Sequence, residues 1–278
     1  MRYSEIQAFN SCPYKYKLTY IDRLEKIDQP ESANDRTWGA AMHKALELYY
    51  RGASFAEMMA GFKTIYPEDL KPDDLAKTIE GAEKALEAYI AYYKEQDKDW
   101  QIIDAEVKSE VENEGMHEMT VDLVAKHLPS GSLYLWDHKT TGKTFSYTYW
   151  KQFELSAQIT RYTAWAQQKY GECAGFYING IAVGHRQRAY KGEPAGYWQR
   201  FERQLFNRSA AQIEAWKKSD QAWMRTVAFN IENNIWPKAY NSMCSYCDFH
   251  ELCTAADDEQ VKEALYRTNN SQKEQVQK

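Results

Sequence analysis

Hydrophobic and polar residues recur with a helical period of about 3.6 in the first hundred positions, and the period falls to about 2 near Gln101. Residues 1–24 predict a short helix, and a second helix with one apolar stripe begins at Thr37. Positions 55–98 predict further helices interrupted by prolines. We interpret residues 51–100 as a helical insertion.

Three segments with alternating apolar residues follow, and each is typical of a β-strand: QIIDAEVKSEV from Gln101, EMTVDLVAKHL from Glu118 and SLYLWDHKT from Ser132. A long helix over 146–171 and a strand over 175–184 come next, and another helix is predicted over 207–230. The order helix, three strands, helix, strand predicts an α/β core with helices appended on both sides. The polar tail, 256–278, is expected to fray.

Composition bounds the cellular setting and the partners. The chain has 278 residues, 44% of them hydrophobic, enough for one large domain with a core. It has no apolar run of about 18 residues and no signal-like N-terminus, so a cytoplasmic protein with no membrane partner is expected. The net charge of -5 gives no global basic footprint, although a local patch can still bind nucleic acid.

Candidate chemistry lies at the end of the third strand. Alternate residues of a strand share a face, so Asp137 and Lys139 emerge together after the apolar Leu133 and Leu135. A hairpin-like pairing with the preceding strand would bring Asp122 beside them. Two carboxylates near a lysine suit a hard divalent cation that polarises a phosphate and lowers the pKa of a bound water. The alternative is a solvated surface pair of Asp137 and Lys139.

In its wider context this pattern resembles the RecB-type branch of the PD-(D/E)XK nuclease superfamily. The resemblance spans about residues 1–255 and rests on four segments in order: GAAMHKALE, VDLV, DHKTT and QITRY. It implies a restriction-endonuclease-like core at about 101–206, a mixed sheet flanked by helices, within a single nuclease domain. The proline-aspartate pair that names the superfamily is absent, and Val121 and Asp122 stand in its place.

The resemblance also implies roles for individual residues. The ligands of Mg²⁺ or Mn²⁺ would be His43, Asp122, Asp137 and the main-chain carbonyl of His138. Lys139 would be the catalytic lysine, acting with Asp122 and Asp137, and Gln158 with Tyr162 would hold the substrate or support the lysine. Glu106 in the first strand is a further candidate, with a solvent-facing side chain as the alternative.

A second site is indicated by the cysteines. Cys244, Cys247 and Cys253 form a C-x2-C-x5-C pattern, and either His250 or the distant Cys12 would complete a set of four ligands. Zinc accepts both sets, whereas iron-sulfur clusters are commonly held by four thiolates. The segment FNSCPYKYKLTY resembles the N-terminal element of the iron-sulfur nucleases of this branch, the AddB-like and CRISPR-associated ones. That resemblance implies a [4Fe-4S] cluster on Cys12, Cys244, Cys247 and Cys253, stapling the N-terminal helix to residues 240–255, with Zn²⁺ as the alternative.

A basic and aromatic segment follows the last predicted strand, and it suits single-stranded nucleic acid, because cations contact phosphates and rings stack on bases. A solvated hairpin is the alternative. The candidate DNA-binding residues are Arg186, Arg188, Lys191, Tyr197, Trp198, Arg200 and Arg203.

Together these features predict a Mg²⁺- or Mn²⁺-dependent deoxyribonuclease, an exonuclease more than an endonuclease, acting on DNA ends or single strands. The expected settings are recombination, repair, and phage or CRISPR DNA processing. No phosphate-binding loop of the G-x-x-x-x-G-K-[ST] type occurs, so a helicase or recombination motor would be a separate partner. The alternative is a non-catalytic DNA-binding or assembly module with a structural zinc or iron-sulfur site.

Overall fold

The computed structural model describes residues 1–27, 35–70, 72, 74–112 and 116–269. Its helices are α1 Tyr3–Ser11, α2 Pro13–Tyr16, α3 Asp35–Tyr50, α4 Phe55–Ile65, α5 Ile79–Tyr93, α6 Tyr147–Lys151, α7 Ala157–Tyr170, α8 Ala210–Glu232, α9 His250–Thr254 and α10 Glu259–Leu265. Its strands are β1 Leu24–Lys26, β2 Trp100–Glu112, β3 Met116–His127, β4 Leu133–Thr141, β5 Gly175–Arg186, β6 Gly196–Phe206 and β7 Tyr266–Thr268.

The described residues divide into two compact units. The first unit, here called the sheet unit, consists of the described residues within Glu31–Val111 and Glu118–Lys217. The second, here called the terminal unit, consists of the described residues within Met1–Pro30, Glu112–His117 and Lys218–Lys278. The single nuclease domain expected over 1–255 stays a prediction.

A five-stranded mixed sheet is the centre of the sheet unit, with the strand order β2-β3-β4-β5-β6. The pairs β3 with β4 and β5 with β6 are antiparallel, whereas β4 and β5 are parallel. Parallel neighbours need a crossover connection, and α6 and α7 supply it. This architecture confirms the predicted α/β fold, a mixed sheet flanked by helices.

The register of the sheet brings the two predicted aspartates together. Leu123 of β3 pairs with Trp136 of β4 in an antiparallel ladder. Asp122 and Asp137 are the next residues of the two strands, and the carboxylate of Asp122 accepts a hydrogen bond from the main-chain N–H of His138, which follows Asp137. The hairpin predicted from the sequence therefore places both carboxylates at one point of the sheet.

Apolar side chains fix the elements around this point. Leu133 and Leu135 of β4 pack with Ile159 and Trp165 of α7, which holds the crossover helix on the sheet. The buried stripe of α3, which includes Met42, packs against α4 and α5. The helices α4 and α5, predicted from the 3.6-residue period, therefore form a layer that covers the apolar face of α3.

Two elements differ from the sequence prediction. The single helix predicted over 146–171 is wrong: α6 ends at Lys151, and α7 begins after Ser156, whose hydroxyl accepts a hydrogen bond from the N–H of Ile159. A capping serine inside a helical pattern is the signal for this break. The strand β6 was not predicted directly: the basic segment that contains it was given a hairpin only as an alternative. The structure has this hairpin, formed by β5 and β6.

In the terminal unit a strand from the N-terminal part of the chain pairs with one from the C-terminal part. β1 and β7 form an antiparallel two-stranded sheet. Leu18 packs there with Phe249, Leu252 and Tyr266, all of them buried. The prediction of a frayed polar tail is wrong for α10 and β7, because the buried ring of Tyr266 anchors them. Among the described residues, no helix combines the length and the apolar character needed to span a membrane.

The approach of the α6 region to the sheet predicts a steric effect on stability. A Cβ on Gly180 of β5 would lie 2.7 Å from the ring of Phe145, whereas one on Gly142 would meet nothing closer than 3.9 Å. Because overpacking costs about 1–3 kcal/mol, Gly180→Ala should lower the free energy of unfolding by that amount. Gly142→Ala, the matched control, should change it by less than about 0.5 kcal/mol. Urea unfolding measures both, and equal effects would contradict the packing.

Candidate active site

The carboxylate of Asp122 is the meeting point of three elements. It is buried in β3, and its Oδ2 accepts a hydrogen bond of 2.6 Å from the main-chain N–H of His138 in β4. The same oxygen lies 3.2 Å from Nδ1 of His43 in α3. A single oxygen therefore holds the helix and the two strands in one geometry.

The protonation of this pair follows from burial and mutual charge. Burial favours neutral His43, but the charge of Asp122 outweighs burial and raises the pKa of His43 to about 9. Burial likewise raises the pKa of Asp122, and the charge and hydrogen bond of His43 overcome it, so that this pKa lies well below its ordinary value. His43 is therefore a cation and Asp122 an anion at neutral pH when no metal is bound.

A second ion pair lies beside the first. Nζ of Lys139 is 2.5 Å from Oδ2 of Asp137, on the same face of β4 as predicted. Burial lowers the pKa of Lys139, but the charge of Asp137 overcomes it and the net shift is upward. Burial and the nearby Asp122 raise the pKa of Asp137 despite Lys139. Lys139 therefore stays charged in a half-buried position.

The crossover helix α7 supplies the remaining polar groups at Asp137. Nε2 of Gln158 lies 3.5 Å from Oδ1 of Asp137 and donates a 3.2 Å hydrogen bond to the hydroxyl of Tyr162. Gln158 and Tyr162 are four residues apart and therefore share one face of the helix. The structure thus brings this predicted pair to Asp137 and Lys139.

Glu106 belongs to the same constellation. Among the described residues, His43, Glu106 and Asp122 form the one group of three whose ligand atoms all lie within 4.8 Å of one another. Glu106 has a φ of 51°, a left-handed conformation that non-glycine residues seldom adopt and that recurs at functional sites. Burial and the charge of Asp122 raise its pKa to about 7. The sequence offered Glu106 as a further candidate, with a solvent-facing side chain on a strand as the alternative.

His138 presents its main chain to the site and its ring to the interior. The ring is 1% exposed, lies stacked on Tyr50 with the ring centroids 5.7 Å apart, and accepts at Nδ1 a 2.7 Å hydrogen bond from the amide of Asn179. Burial lowers the pKa of His138 to about 3, so its imidazole is neutral. The sequence did not single out Asn179, which lies inside an apolar strand.

A groove opens beside these groups. It has a volume of about 740 Å³, and its lining includes His43, Glu106 and Asp122. Two further cationic residues of α3, Arg36 and Lys44, also line it. Neither residue was singled out from the sequence, although Arg36 precedes His43 by seven residues, close to two helical turns, and therefore shares its face.

The basic segment 186–208 is only partly free to meet a ligand. Arg188 and Lys191 are exposed, while Arg186 and Arg200 both pair with Glu193. The side chain of Arg203 is 9% exposed and pairs with Asp97 at 2.7 Å. Its assignment as a DNA-binding residue is therefore corrected: this guanidinium lies in the interior. Tyr197 and Trp198 are half-buried, and the Trp198 ring lies beneath Arg186.

The cysteines of the second predicted site lie in the terminal unit. Cys12, Cys244, Cys247 and Cys253 are free and line one cavity of about 300 Å³, together with His250. Sγ of Cys12 caps α2 by accepting a hydrogen bond from the N–H of Lys15. Within the described residues, no three thiols gather within 4.8 Å of one another. Cys173 lies apart from them, packed against the apolar core of the sheet unit.

The chain was compared with protein families and with solved structures. The family profile of the PD-(D/E)XK nuclease superfamily matches residues 3–254. A crystal structure of a candidate exonuclease from Eubacterium rectale is 14% identical, with a TM-score of 0.51 over 88% of this chain and 87% of that one. This likeness concerns the fold alone.

Two other solved structures are more distant. SSO0001 is 13% identical, with a TM-score of 0.32 over 77% of this chain and 84% of its own. LHK-Exo, solved in complex with dAMP, is 15% identical, with a TM-score of 0.29 over 72% of this chain and 95% of its own. A search of curated proteins finds no match to the chain.

The His43–Asp122 pair predicts how the stability of the metal-free protein depends on pH. The pKa of His43 is about 9 in the folded protein and about 6.5 in an unfolded chain, so the folded chain binds more protons between these values. The stabilisation is complete below about pH 6.5 and is lost as pH rises toward 9, by up to about 3 kcal/mol. Urea unfolding of chelator-treated wild type and His43→Gln across this range measures it. An equal decline in both proteins would contradict the pair.

Proposed function

The chain belongs to the PD-(D/E)XK nuclease superfamily, and from this premise we propose that it is a metal-dependent deoxyribonuclease that hydrolyses phosphodiester bonds. The observation that carries the proposal is the grouping of His43, Glu106 and Asp122 within 4.8 Å, next to the ion pair of Asp137 and Lys139. The family uses divalent metals, and this donor set could hold one.

The residues present fit Mg²⁺ or Mn²⁺. Carboxylate oxygens are the preferred ligands of both ions, and an imidazole nitrogen is compatible with Mn²⁺ in particular. His43, Asp122, Asp137 and the main-chain carbonyl of His138 would hold the ion, with Glu106 as an additional carboxylate. When bound, the ion polarises a phosphate and lowers the pKa of a water molecule. His43, a cation in the metal-free site, would have to lose its proton to serve as a ligand.

The other residues have roles that follow from their charge and contacts. Lys139, held as a cation by Asp137, stabilises the negative charge that develops on the phosphate. Gln158 holds the carboxylate of Asp137 from the opposite side to Lys139 and orients the hydroxyl of Tyr162. Burial of both aspartates strengthens these interactions, because little water competes with them.

For the substrate we propose DNA, entering along the groove beside α3. Arg36 lines the groove next to the site and suits a phosphate of a strand, and Lys44, which pairs with Glu47 at 2.8 Å, lines the groove as well. The exposed Arg188 and Lys191, with Arg186, Arg200, Tyr197 and Trp198, form a second candidate surface on the β5–β6 hairpin. Action on ends or single strands fits the aromatic side chains of this second surface, since unstacked bases can lie against rings.

For the terminal unit we propose a [4Fe-4S] cluster. Four thiols line the same cavity, and four thiolates, one on each iron, commonly hold a cluster of this kind. It would staple α2 to the cysteine segment, as in the iron-sulfur branch that the sequence resembles. Zn²⁺ with His250 is the alternative.

The proposed setting is DNA recombination, repair, or phage or CRISPR DNA processing in the cytoplasm. A helicase or recombination motor would be a separate partner. The competing function is a non-catalytic DNA-binding or assembly module, and the ion pair of Asp137 and Lys139 beside the donor group argues against it.

Catalysis is tested by removing the lysine. Lys139→Ala should lower kcat on labelled single- or double-stranded DNA by on the order of 10²–10³-fold with Mg²⁺ or Mn²⁺, because the charge opposite the phosphate is lost. Lys143→Ala makes the same chemical change at an exposed position and should cut like the wild type. If the anaerobically purified wild type cuts neither substrate, or Lys139→Ala cuts equally well, the proposed function is wrong.

The mode of cleavage is read from the same preparation. An exonuclease should degrade linear DNA from its ends and spare closed circles and end-blocked strands. Cleavage of circles at a similar rate would instead make the protein an endonuclease.

The cluster is tested by colour and metal content. The anaerobically purified protein should be brown, absorb at about 400 nm and contain iron and sulfide. Cys247→Ser should lose this absorbance, whereas Cys173→Ser should keep it, because Cys173 lies in the other unit. A colourless wild type with stoichiometric zinc would reject the cluster.

A further inference from the structure

We propose that Asn179 is a positioning residue for the metal site: through the ring of His138 it fixes the β4 main chain that holds Asp122. This inference rests on the proposed function, because it assigns Asn179 to the ligand set of that same site. Asn179 itself touches none of the reacting groups.

The amide of Asn179 is fully buried and has its donors committed. Its Nδ2 donates a 2.7 Å hydrogen bond to Nδ1 of His138 and another of 2.7 Å to the hydroxyl of Tyr89. Its Oδ1 faces Nε of Arg203 at 3.5 Å. Donors to one side and an acceptor to the other allow one orientation of the amide, so Asn179 presents a fixed N–H to His138.

His138 transmits this constraint to the site. His138 stands opposite Asn179 across the parallel β4–β5 ladder, and the amide of Asn179 therefore reaches the ring of His138. The stacked ring of Tyr50 closes its other side. The main-chain N–H of His138 donates a 2.6 Å hydrogen bond to Asp122, and the main-chain carbonyl of His138 is a proposed ligand of the metal ion. A rotation of the His138 ring would therefore move groups that face the cation.

A buried polar network anchors Asn179 in turn. Nη2 of Arg203 donates to the hydroxyls of Tyr50 and Tyr89 at 3.0 and 3.1 Å, and Nη1 pairs with Asp97 at 2.7 Å. Tyr89 and Asp97 lie in the helical insertion. The insertion is thus connected to His138 by a continuous series of hydrogen bonds, from Asp97 through Arg203, Tyr89 and Asn179.

This network has the properties of a positioning device. Apolar side chains of similar size would fill the space at equal or lower energetic cost, since buried ionic networks often stabilise no more than a hydrophobic core. What polar groups add is a single geometry, because each hydrogen bond fixes a direction. Residues behind metal ligands act in this way, and their loss typically weakens metal binding 10–100-fold.

The test is a double-mutant cycle on Mn²⁺ affinity, measured by calorimetry on the full-length, anaerobically prepared protein. Asn179→Leu and His138→Phe should each weaken Mn²⁺ binding by about ten-fold, and the double variant should bind no more weakly than either single one. Multiplied effects would show that Asn179 does not act through His138 and would overturn the inference. Unchanged affinity in Asn179→Leu would overturn it as well.

A pair of matched tyrosine variants separates positioning from general loosening and serves if Asn179→Leu does not fold. Tyr89→Phe removes a hydroxyl that Asn179 contacts, and Tyr66→Phe removes a buried hydroxyl that donates to the carbonyl of Lys77. Tyr89→Phe should weaken Mn²⁺ binding several-fold, while Tyr66→Phe should lower Tm and leave the affinity unchanged. Equal losses of affinity in the two variants would overturn the inference.

The cycle also distinguishes this inference from the proposed function. In the wild type Mn²⁺ should bind, and Asp122→Asn should abolish that binding. If the wild type does not bind Mn²⁺, the proposed function fails and the inference with it. If Asp122→Asn abolishes binding but Asn179→Leu has no effect, the inference alone fails.

Discussion

The contact between Oδ2 of Asp122 and the main-chain N–H of His138 is the interaction on which the site depends. It sets the register of β3 against β4 at the point where Asp137 emerges, and the same oxygen holds His43 of α3. A buried carboxylate is costly unless it is paired and hydrogen-bonded. Asp122 meets this requirement with a histidine cation and a fixed backbone donor, so the fold and the charge state of the site are linked.

The concentration of negative charge explains the other features of the site. Burial and the charge of Asp122 raise the pKa of both Glu106 and Asp137, and the chain balances the three carboxylates with His43 and Lys139. Such an arrangement is poorly satisfied by protein cations alone and suits a divalent ion. Behind it lies the network from Asp97 to Asn179, which in our proposal orders the backbone of β4, and with it the proposed ligand set, before an ion arrives.

Much of this fold follows from local patterns. Alternation predicted β2 to β4, and the spacing of Asp137 and Lys139 placed them on one face because a strand has a period of two. What the sequence left open depends on long-range contacts. The burial of Arg203 requires partners more than a hundred residues away, and nothing local distinguishes it from a surface arginine. Two other features were missed because single residues interrupt a regular pattern: Glu106 adopts a left-handed conformation within β2, and Ser156 caps α7 within a helical pattern.

The central claim is that these side chains hold one divalent cation, and anomalous scattering from crystals soaked in Mn²⁺ tests it most directly. A peak bounded by His43, Asp122, Asp137 and the carbonyl of His138, with Glu106 at its edge, is the result that the account predicts. The absence of a peak there, with Mn²⁺ bound elsewhere or not at all, would contradict it.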